Sequence, residues 1–239
     1  MGHVISDLIR DMDQVEVAAG VDVTIPAHPA YPVYQSLKEV DRDVDVIIDF
    51  SIAAAVDSVL DYAVEKGIPL VECTTGLSED TLAHLKNASE SVAILRSANM
   101  SLGVNTLLKL LKEAVKVLGP AGFDIDIVEK HHRRKLDAPS GTALALADSI
   151  NEAADGRYSY TFDRSSRRMA RPADEIGISA VRGGSIVGEH EVIFAGTDEV
   201  IEFKHTAYSR AIFGKGAITA AIFLADQPAG LYDMSHVIG

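Results

Sequence analysis

Cysteine is almost missing from this chain: Cys73 stands alone among 239 residues. A single thiol excludes an internal disulfide and suits a reducing cytosol, so a cytoplasmic protein is expected. Long apolar runs are missing too. None approaches the roughly 20 residues that cross a bilayer as a helix. No basic leader precedes an apolar stretch near Met1, so neither a signal peptide nor a membrane partner is expected. Positive charge is scarce, with 22 Lys and Arg against 35 Asp and Glu, a formal −13. That balance argues against nucleic acid or an anionic membrane surface as the main partner. Repeats and low-complexity segments are absent as well. What is present is 47% hydrophobic content, over a length that allows one or two domains with a substantial core.

Against this acidic background one dense basic run stands out, in Glu129-Lys-His-His-Arg-Arg-Lys-Leu-Asp-Ala-Pro-Ser-Gly-Thr-Ala143. Lys130 to Lys135 is an unbroken run of basic and imidazole side chains. Asp137 to Thr142 is turn chemistry ahead of a helix. Pro139 fixes φ, and Gly141 allows close approach of backbone to a ligand. Ser140 and Thr142 bring hydroxyls and N–H groups to a helix start, which suits an anion. Histidine moves protons near neutral pH. The combination points to a small carboxylated molecule that requires proton transfer. A basic run by itself is commonly a solvated face; the adjoining turn argues against that here. Adjacent histidines point to opposite faces of an extended segment, and no further ligand stands at a useful spacing, so no metal is expected.

The rest of the chain reads as alternating helix and strand. Val4, Ile5, Leu8, Ile9 and Met12 give an amphipathic helix over Met1–Met12. Val15–Val21 reads as a short buried strand closed by Asp22, 20 residues after Gly2, and an acid so placed binds adenosine ribose in many βαβ units. Pro26–Pro32 is a loop. Asp43–Phe50 reads as a strand buried on both faces. Ile52–Glu65 is a helix, Pro69–Thr74 a strand, Ser78 a helix cap and Val92–Leu95 a further strand. Thr106–Leu118 is a strongly apolar helix, and Phe123–Glu129 is the strand that delivers the basic motif. Residues 157–175, rich in arginine, read as a mobile loop or lid. Ile176–Val181, Ser185–Ala195 and Glu199–Thr206 read as antiparallel strands with turns at Arg182-Gly183-Gly184 and Gly196-Thr197-Asp198. A helix over Arg210–Leu224 returns to the first domain. The expected fold is α/β: a Rossmann-like doubly wound parallel sheet over 1–101 and 210–239, plus a second α+β domain with an open mixed sheet over 102–209.

The long motif Glu-x-His-His-x-x-Lys-x-Asp-Ala-Pro-Ser-Gly-Thr-Ala resembles the signature of the 4-hydroxy-tetrahydrodipicolinate (dihydrodipicolinate) reductase family, enzymes of bacterial lysine and diaminopimelate synthesis. Cys73-Thr74-Thr75-Gly76 is similar to that family's Gly-Thr-Thr-Gly turn, with Cys73 in place of the first Gly. Ser97-Ala98-Asn99-Met100 is similar to its Ala-Asn-Phe-Ser turn, with Met100 in place of Phe. Met1-Gly2 matches the end of the family's Gly-x-x-Gly-x-Met-Gly loop, so the sequence is expected to start inside that motif, with a weakened pyrophosphate cradle.

The resemblance implies reduction of an unsaturated cyclic dicarboxylate by NADH or NADPH, in a homotetramer built on the second sheet. His131 would be the proton donor and Lys135 the second catalytic cation. His132, Ser140, Gly141 and Thr142 would hold substrate carboxylates. Met1, Gly2, Asp22, Cys73, Thr74, Thr75, Ser97, Ala98, Asn99 and Met100 would bind cofactor. Asp22 followed by Val23, where the family often has Arg, leans towards NADH. The alternatives are a catalytically impaired relative or ligand-binding module lacking the phosphate loop, and a different two-domain dehydrogenase. A thioester mechanism in the second would need Cys73 as a nucleophile, and nothing around it in the sequence is activating.

Overall fold

In the computed structural model, residues 1–165 and 167–239 are described. The chain divides into two compact units, Met1–Leu102 with Ala211–Gly239, and Gly103–Arg210.

The first unit begins with helix α1 (Gly2–Ile9), which buries Ile5. Strand β1 (Gly20–Val21) pairs in parallel with β2 (Val33–Tyr34) as a two-stranded sheet of its own. The expected buried strand over Val15–Val21 is thus only two residues long, and Val21 is exposed. It gains a neighbour on one side only, so little of its surface is covered. Strands β3 (Ile47–Asp49), β4 (Leu70–Glu72) and β5 (Ala93–Arg96) are parallel, with helices α2 (Ala53–Lys66) and α3 (Glu79–Ala88) between them. Gly67 ends α2 at φ 66°, a left-handed cap that glycine adopts without strain. Ser78 caps α3 by accepting the Thr81 N–H at 3.1 Å.

Asp43–Phe50 is shorter as a strand than its apolar run suggests. Only Ile47–Asp49 pairs, at the edge of the sheet, and Ile47 and Ile48 are half-buried. Full burial on both faces belongs to the inner strand β4.

The second unit contains α4 (Leu102–Leu118, from its second residue on), β6 (Asp124–His131), α5 (Gly141–Ala153), β7 (Ser159–Thr161), β8 (Glu175–Arg182), β9 (Gly188–Ala195) and β10 (Val200–Ala207). The strand order is β10-β9-β6-β8-β7. Alternate residues of β6 are buried, and Ile125 and Ile127 join Leu111, Leu146, Ile150 and Phe194 in one core. This sheet corrects the expectation of three antiparallel strands. Strand β8 runs parallel to β6, and only β9 and β10 are antiparallel to their neighbours. Arg182-Gly183-Gly184 is therefore not a hairpin turn. It carries the chain across the end of β6, where Gly183 N–H donates to the His131 carbonyl at 2.9 Å and Arg133 N–H to the Gly184 carbonyl at 3.3 Å.

The arginine-rich stretch 157–175 is also corrected. It is strapped to the sheet, because acids on β6 and β8, and Asp174 just ahead of β8, answer its cations. Arg157 pairs with Asp174 at 2.5 Å, Arg164 with Asp126 at 2.8 Å and Glu175 at 2.6 Å, and Arg167 with Glu175 at 2.7 Å. Arg171 pairs with Asp126 as well. Ser166, in the same stretch, lies outside the described residues.

Helix α6 (Ala211–Leu224), β11 (Gly230–Tyr232) and α7 (Met234–Ile238) complete the first unit. Strand β11 adds in parallel beside β5, giving the order β11-β5-β4-β3. Helices α2 and α3 cover one face of this sheet, while α6 and α7 cover the other. Helix α6 comes very close to the strand ends: a Cβ on Gly216 would stand 1.6 Å from the Met100 carbonyl oxygen, so only glycine fits.

Candidate functional site

In the second unit, burial at every other residue of β6 carries through to the basic motif. The period that buries Ile125 and Ile127 also buries Glu129 and His131. A carboxylate in a core requires partners, and Glu129 has four hydrogen bonds. Its Oε1 accepts from Arg182 Nη2 at 2.7 Å and from the Ser140 N–H at 2.9 Å. Its Oε2 accepts from Arg182 Nη1 at 2.7 Å and meets His131 Nδ1 at 2.6 Å. Burial alone would raise this carboxyl, but Arg182, His131 and the Ser140 N–H outweigh it and hold the group below the usual carboxylate range.

That ionised partner sets the imidazole. Nδ1 of His131 must carry a hydrogen to donate to a carboxylate, which leaves Nε2 as the edge available for chemistry. A Cβ on Gly188 would lie 3.1 Å from that Nε2, so glycine there keeps the edge open. His190 packs edge-on against His131 with ring centroids 5.1 Å apart. Its Nε2 meets Ser140 Oγ at 3.0 Å. Burial first, then the His131 charge, pushes His190 down to about 4, so it stays neutral at physiological pH.

The turn places the remaining motif residues at the start of α5. Ser140 is its N-cap, accepting the Ala143 N–H at 3.2 Å. Both the hydroxyl and the N–H of Ser140 are thus engaged within the unit. Gly141 and Thr142 form the first helical turn. Lys135 pairs with Asp137 at 2.8 Å, and among the described residues it makes no hydrogen bond to His131. Lys135 first, and then backbone N–H groups including that of Gly141, hold the Asp137 carboxyl below its usual range. A carboxylate of the chain itself is therefore already stabilised by this ammonium and this helix start. His132 N δ1 is buried without a partner among the described residues.

In the first unit, the two turns with family-like sequences line one cavity of about 300 Å³. Phe50, Ser51, Cys73, Thr74, Thr75, Ala98, Asn99, Met100 and Phe213 form its wall. All but Phe213, which comes from helix α6, follow the C-terminal ends of parallel strands, where open α/β sheets bind ligands. Thr74 Oγ1 is buried there without a hydrogen-bond partner among the described residues. Cys73 is buried, and its burial, with Glu72 and Asp49 nearby, pushes the thiol up and keeps it protonated. Ser97 does not line the cavity; its hydroxyl bonds the Asn99 carbonyl at 2.8 Å and shapes the turn. Met1 and Gly2 start α1, and Asp22 sits exposed just after β1, accepting the Thr24 N–H at 2.9 Å. Neither group lines that cavity.

Sequence reasoning missed Glu129, Arg182, Gly188 and His190 as members of the motif's network. Glu129 carried a readable signal, an acid in phase with Ile125 and Ile127. The other three lie on strands β8 and β9, and only the pairing of those strands with β6 brings them to it.

These features define an α/β protein with a doubly wound parallel sheet and a second, mixed-sheet unit built around a carboxylate-oriented histidine. Models of the family match almost the whole chain: "Dihydrodipicolinate reductase, N-terminus" over residues 1–100 and "Dihydrodipicolinate reductase, C-terminus" over 103–238. The chain belongs to the dihydrodipicolinate reductase family. It is 51% identical over 239 residues to the 4-hydroxy-tetrahydrodipicolinate reductase of Caldanaerobacter subterraneus subsp. tengcongensis, covering 100% of this chain and 94% of the relative. It is 44% identical over 238 residues to the enzyme of the same name from Clostridium tetani, covering 100% and 92%. A solved structure of dipicolinate-bound dihydrodipicolinate reductase from Paenisporosarcina sp. TG-14 has the same fold. The TM-score is 0.82 at 23% identity, over 98% of this chain and 94% of that one.

Proposed function

We propose that this chain reduces 4-hydroxy-tetrahydrodipicolinate to tetrahydrodipicolinate with NADH or NADPH, a step towards lysine and diaminopimelate. Its relatives carry the name of that enzyme. The observation that carries the reading is His131, held by the ionised Glu129 with Nε2 as its open edge, at the mouth of a turn that stabilises a carboxylate.

The roles divide between the two units. Residues 1–101 and 210–239 bind the nucleotide, and residues 102–209 bind substrate and form the oligomer contact. The cavity suits a nicotinamide: Phe50, Met100 and Phe213 are apolar walls, while Thr74 Oγ1 is a buried polar atom lacking a partner among the described residues. Thr75, Ala98 and Asn99 complete the wall, Cys73 supplies bulk, and Ser97 shapes the turn. Gly2 and Met1 bring α1's N-terminus to the pyrophosphate, and Asp22 takes a ribose hydroxyl. Its charge and the neighbouring Val23 favour NADH over a 2′-phosphorylated cofactor.

When bound, the reduced nicotinamide supplies the hydride. The substrate's 4-hydroxyl leaves as water; as electron density then builds on the unsaturated ring, His131 gives up a proton from Nε2, and Glu129 keeps the imidazole oriented while its charge changes. Lys135 exchanges Asp137 for a substrate carboxylate and stabilises the developing negative charge. Gly141 and Thr142 hold the second carboxylate at the helix start, with His132 beside them. Ser140 contributes by fixing that start. The cytoplasm is the proposed site of action, and the outer face of the second unit's sheet, where Val181 and Val200 are exposed, supports a homotetramer.

The direct test is nicotinamide oxidation followed at 340 nm with enzymatically generated 4-hydroxy-tetrahydrodipicolinate, run with each cofactor. Turnover with both, and a lower KM for NADH, is expected. No oxidation with either cofactor rejects the reading in favour of a silent binding module. Light scattering of the purified protein checks the tetramer.

A further inference from the structure

The cavity in the first unit is built on two carboxyls that the reaction does not use. Asp49 ends β3 and Glu72 ends β4, and the two are direct register partners. Each caps its own turn. Asp49 accepts the Ser51 N–H at 2.8 Å, and Glu72 accepts the Thr74 N–H at 2.6 Å. Ser51 and Thr74 both line the cavity. Both acids are buried, and Glu72 Oε2 has no hydrogen-bond partner among the described residues.

Among the described residues no cation pairs with Glu72. Glu72 shares its face of the sheet with Leu70, and α2 and α3 cover that face with Val56, Leu60 and Leu85. The register partner on β5 is Arg96, which makes no ion pair with Glu72 among the described residues. The Cys73 thiol stays protonated. Two buried carboxylates side by side cannot both be ionised cheaply. Burial first, then the Asp49 charge, pushes Glu72 up to about 8.

We propose that Glu72 is a positioning residue for the cofactor: as a neutral acid it sits beside Asp49 without repulsion and holds the Cys73–Gly76 turn through the Thr74 N–H, and loss of its proton sets two carboxylates against each other and forces that wall of the cavity apart. This rests on the reading of the cavity as the nicotinamide side. The proton belongs to the protein and is not consumed in the reaction. Glutamine reproduces a neutral carboxyl in shape and still accepts from Thr74, whereas leucine cannot accept at all.

The experiment measures NADH affinity by fluorescence titration, and thermal stability alongside it, between about pH 6 and about pH 9.5 for the full chain, Glu72→Gln and Glu72→Leu. Wild-type affinity should weaken as pH rises through about 8, while Glu72→Gln restores tight binding and stays flat. Glu72→Leu should raise Kd about tenfold at every pH, the worth of one hydrogen bond, with little change in kcat. Parallel pH dependence in wild type and Glu72→Gln overturns the proposal, and so does unimpaired binding by Glu72→Leu. Should the leucine variant not fold, the glutamine comparison decides alone. If wild type binds neither NADH nor NADPH, the cofactor reading falls. The Glu72 proton is then still decided by stability: wild type must lose stability relative to Glu72→Gln as pH rises, and equal profiles refute it.

Discussion

Glu129 and Glu72 sit in different units, yet both are fully buried near the C-terminal ends of inner strands, and they differ in protonation. Glu129 faces the Arg182 fork, an imidazole and a backbone N–H, and stays ionised. Glu72 faces one N–H and another acid, and holds its proton. Burial is common to both, so the partners decide. An ionised carboxylate can orient a proton donor. A neutral acid can only shape a wall. Glu175, buried against Arg164 and Arg167 at the root of the arginine strap, falls on the Glu129 side of the divide.

The contrast breaks most visibly at the residue that Glu129 serves. Replacing His131 by Gln removes the proton donor and should lower kcat by about 10²–10⁴-fold with little change in substrate KM. Steady-state kinetics checks this, and unchanged turnover would remove His131 from its role. Next in size, Arg182→Leu moves the Glu129 site towards that of Glu72, a buried acid stripped of its guanidinium fork. It should cost about 3 kcal/mol in urea denaturation, since one partner of a buried pair is left behind.

The pH dependence of stability separates the two kinds of site by sign. Glu175 is first pushed up by burial, but Thr161, Arg167 and Arg164 bring it down to about 2. Its folded value lies below the ordinary 4.5, so its stabilisation is present above that pH and is lost as pH falls towards 2. Glu129 behaves in the same direction. Glu72 is the reverse: stability is fully present below 4.5 and is lost as pH rises through about 8. Thermal denaturation should therefore show an acid limb that Glu175→Gln flattens and an alkaline limb that it leaves untouched. The smallest effect is expected at Ser140→Ala, where loss of the α5 cap costs about 1 kcal/mol.

Much of this was legible in the chain. The motif around His131, the alternation of strand and helix, and the cap at Ser78 rest on local chemistry, which sequence displays directly. Pairing was harder to read. The strands from Glu175 onward show the right period, but period does not say which neighbour a strand chooses, and β8 lies parallel beside β6. The same gap hid Arg182 and His190, whose roles follow from that order. The arginines of 157–175 suggested a mobile loop or lid because two of the acids that tie them to the sheet, Asp124 and Asp126, lie over 30 residues upstream of Arg164 and Arg171.

The close approach of Gly216 to the Met100 carbonyl has a consequence for biosynthesis. The wall residue Phe213 and the helix that backs the Met100 turn leave the ribosome more than 100 residues after that turn. Strand β11, at the sheet's far edge, emerges later still. The Gly103–Arg210 unit can therefore mature while its elder neighbour is still waiting for its last pieces. A nascent chain arrested after Arg210 should show protease-resistant residues 103–210 and an easily digested beginning.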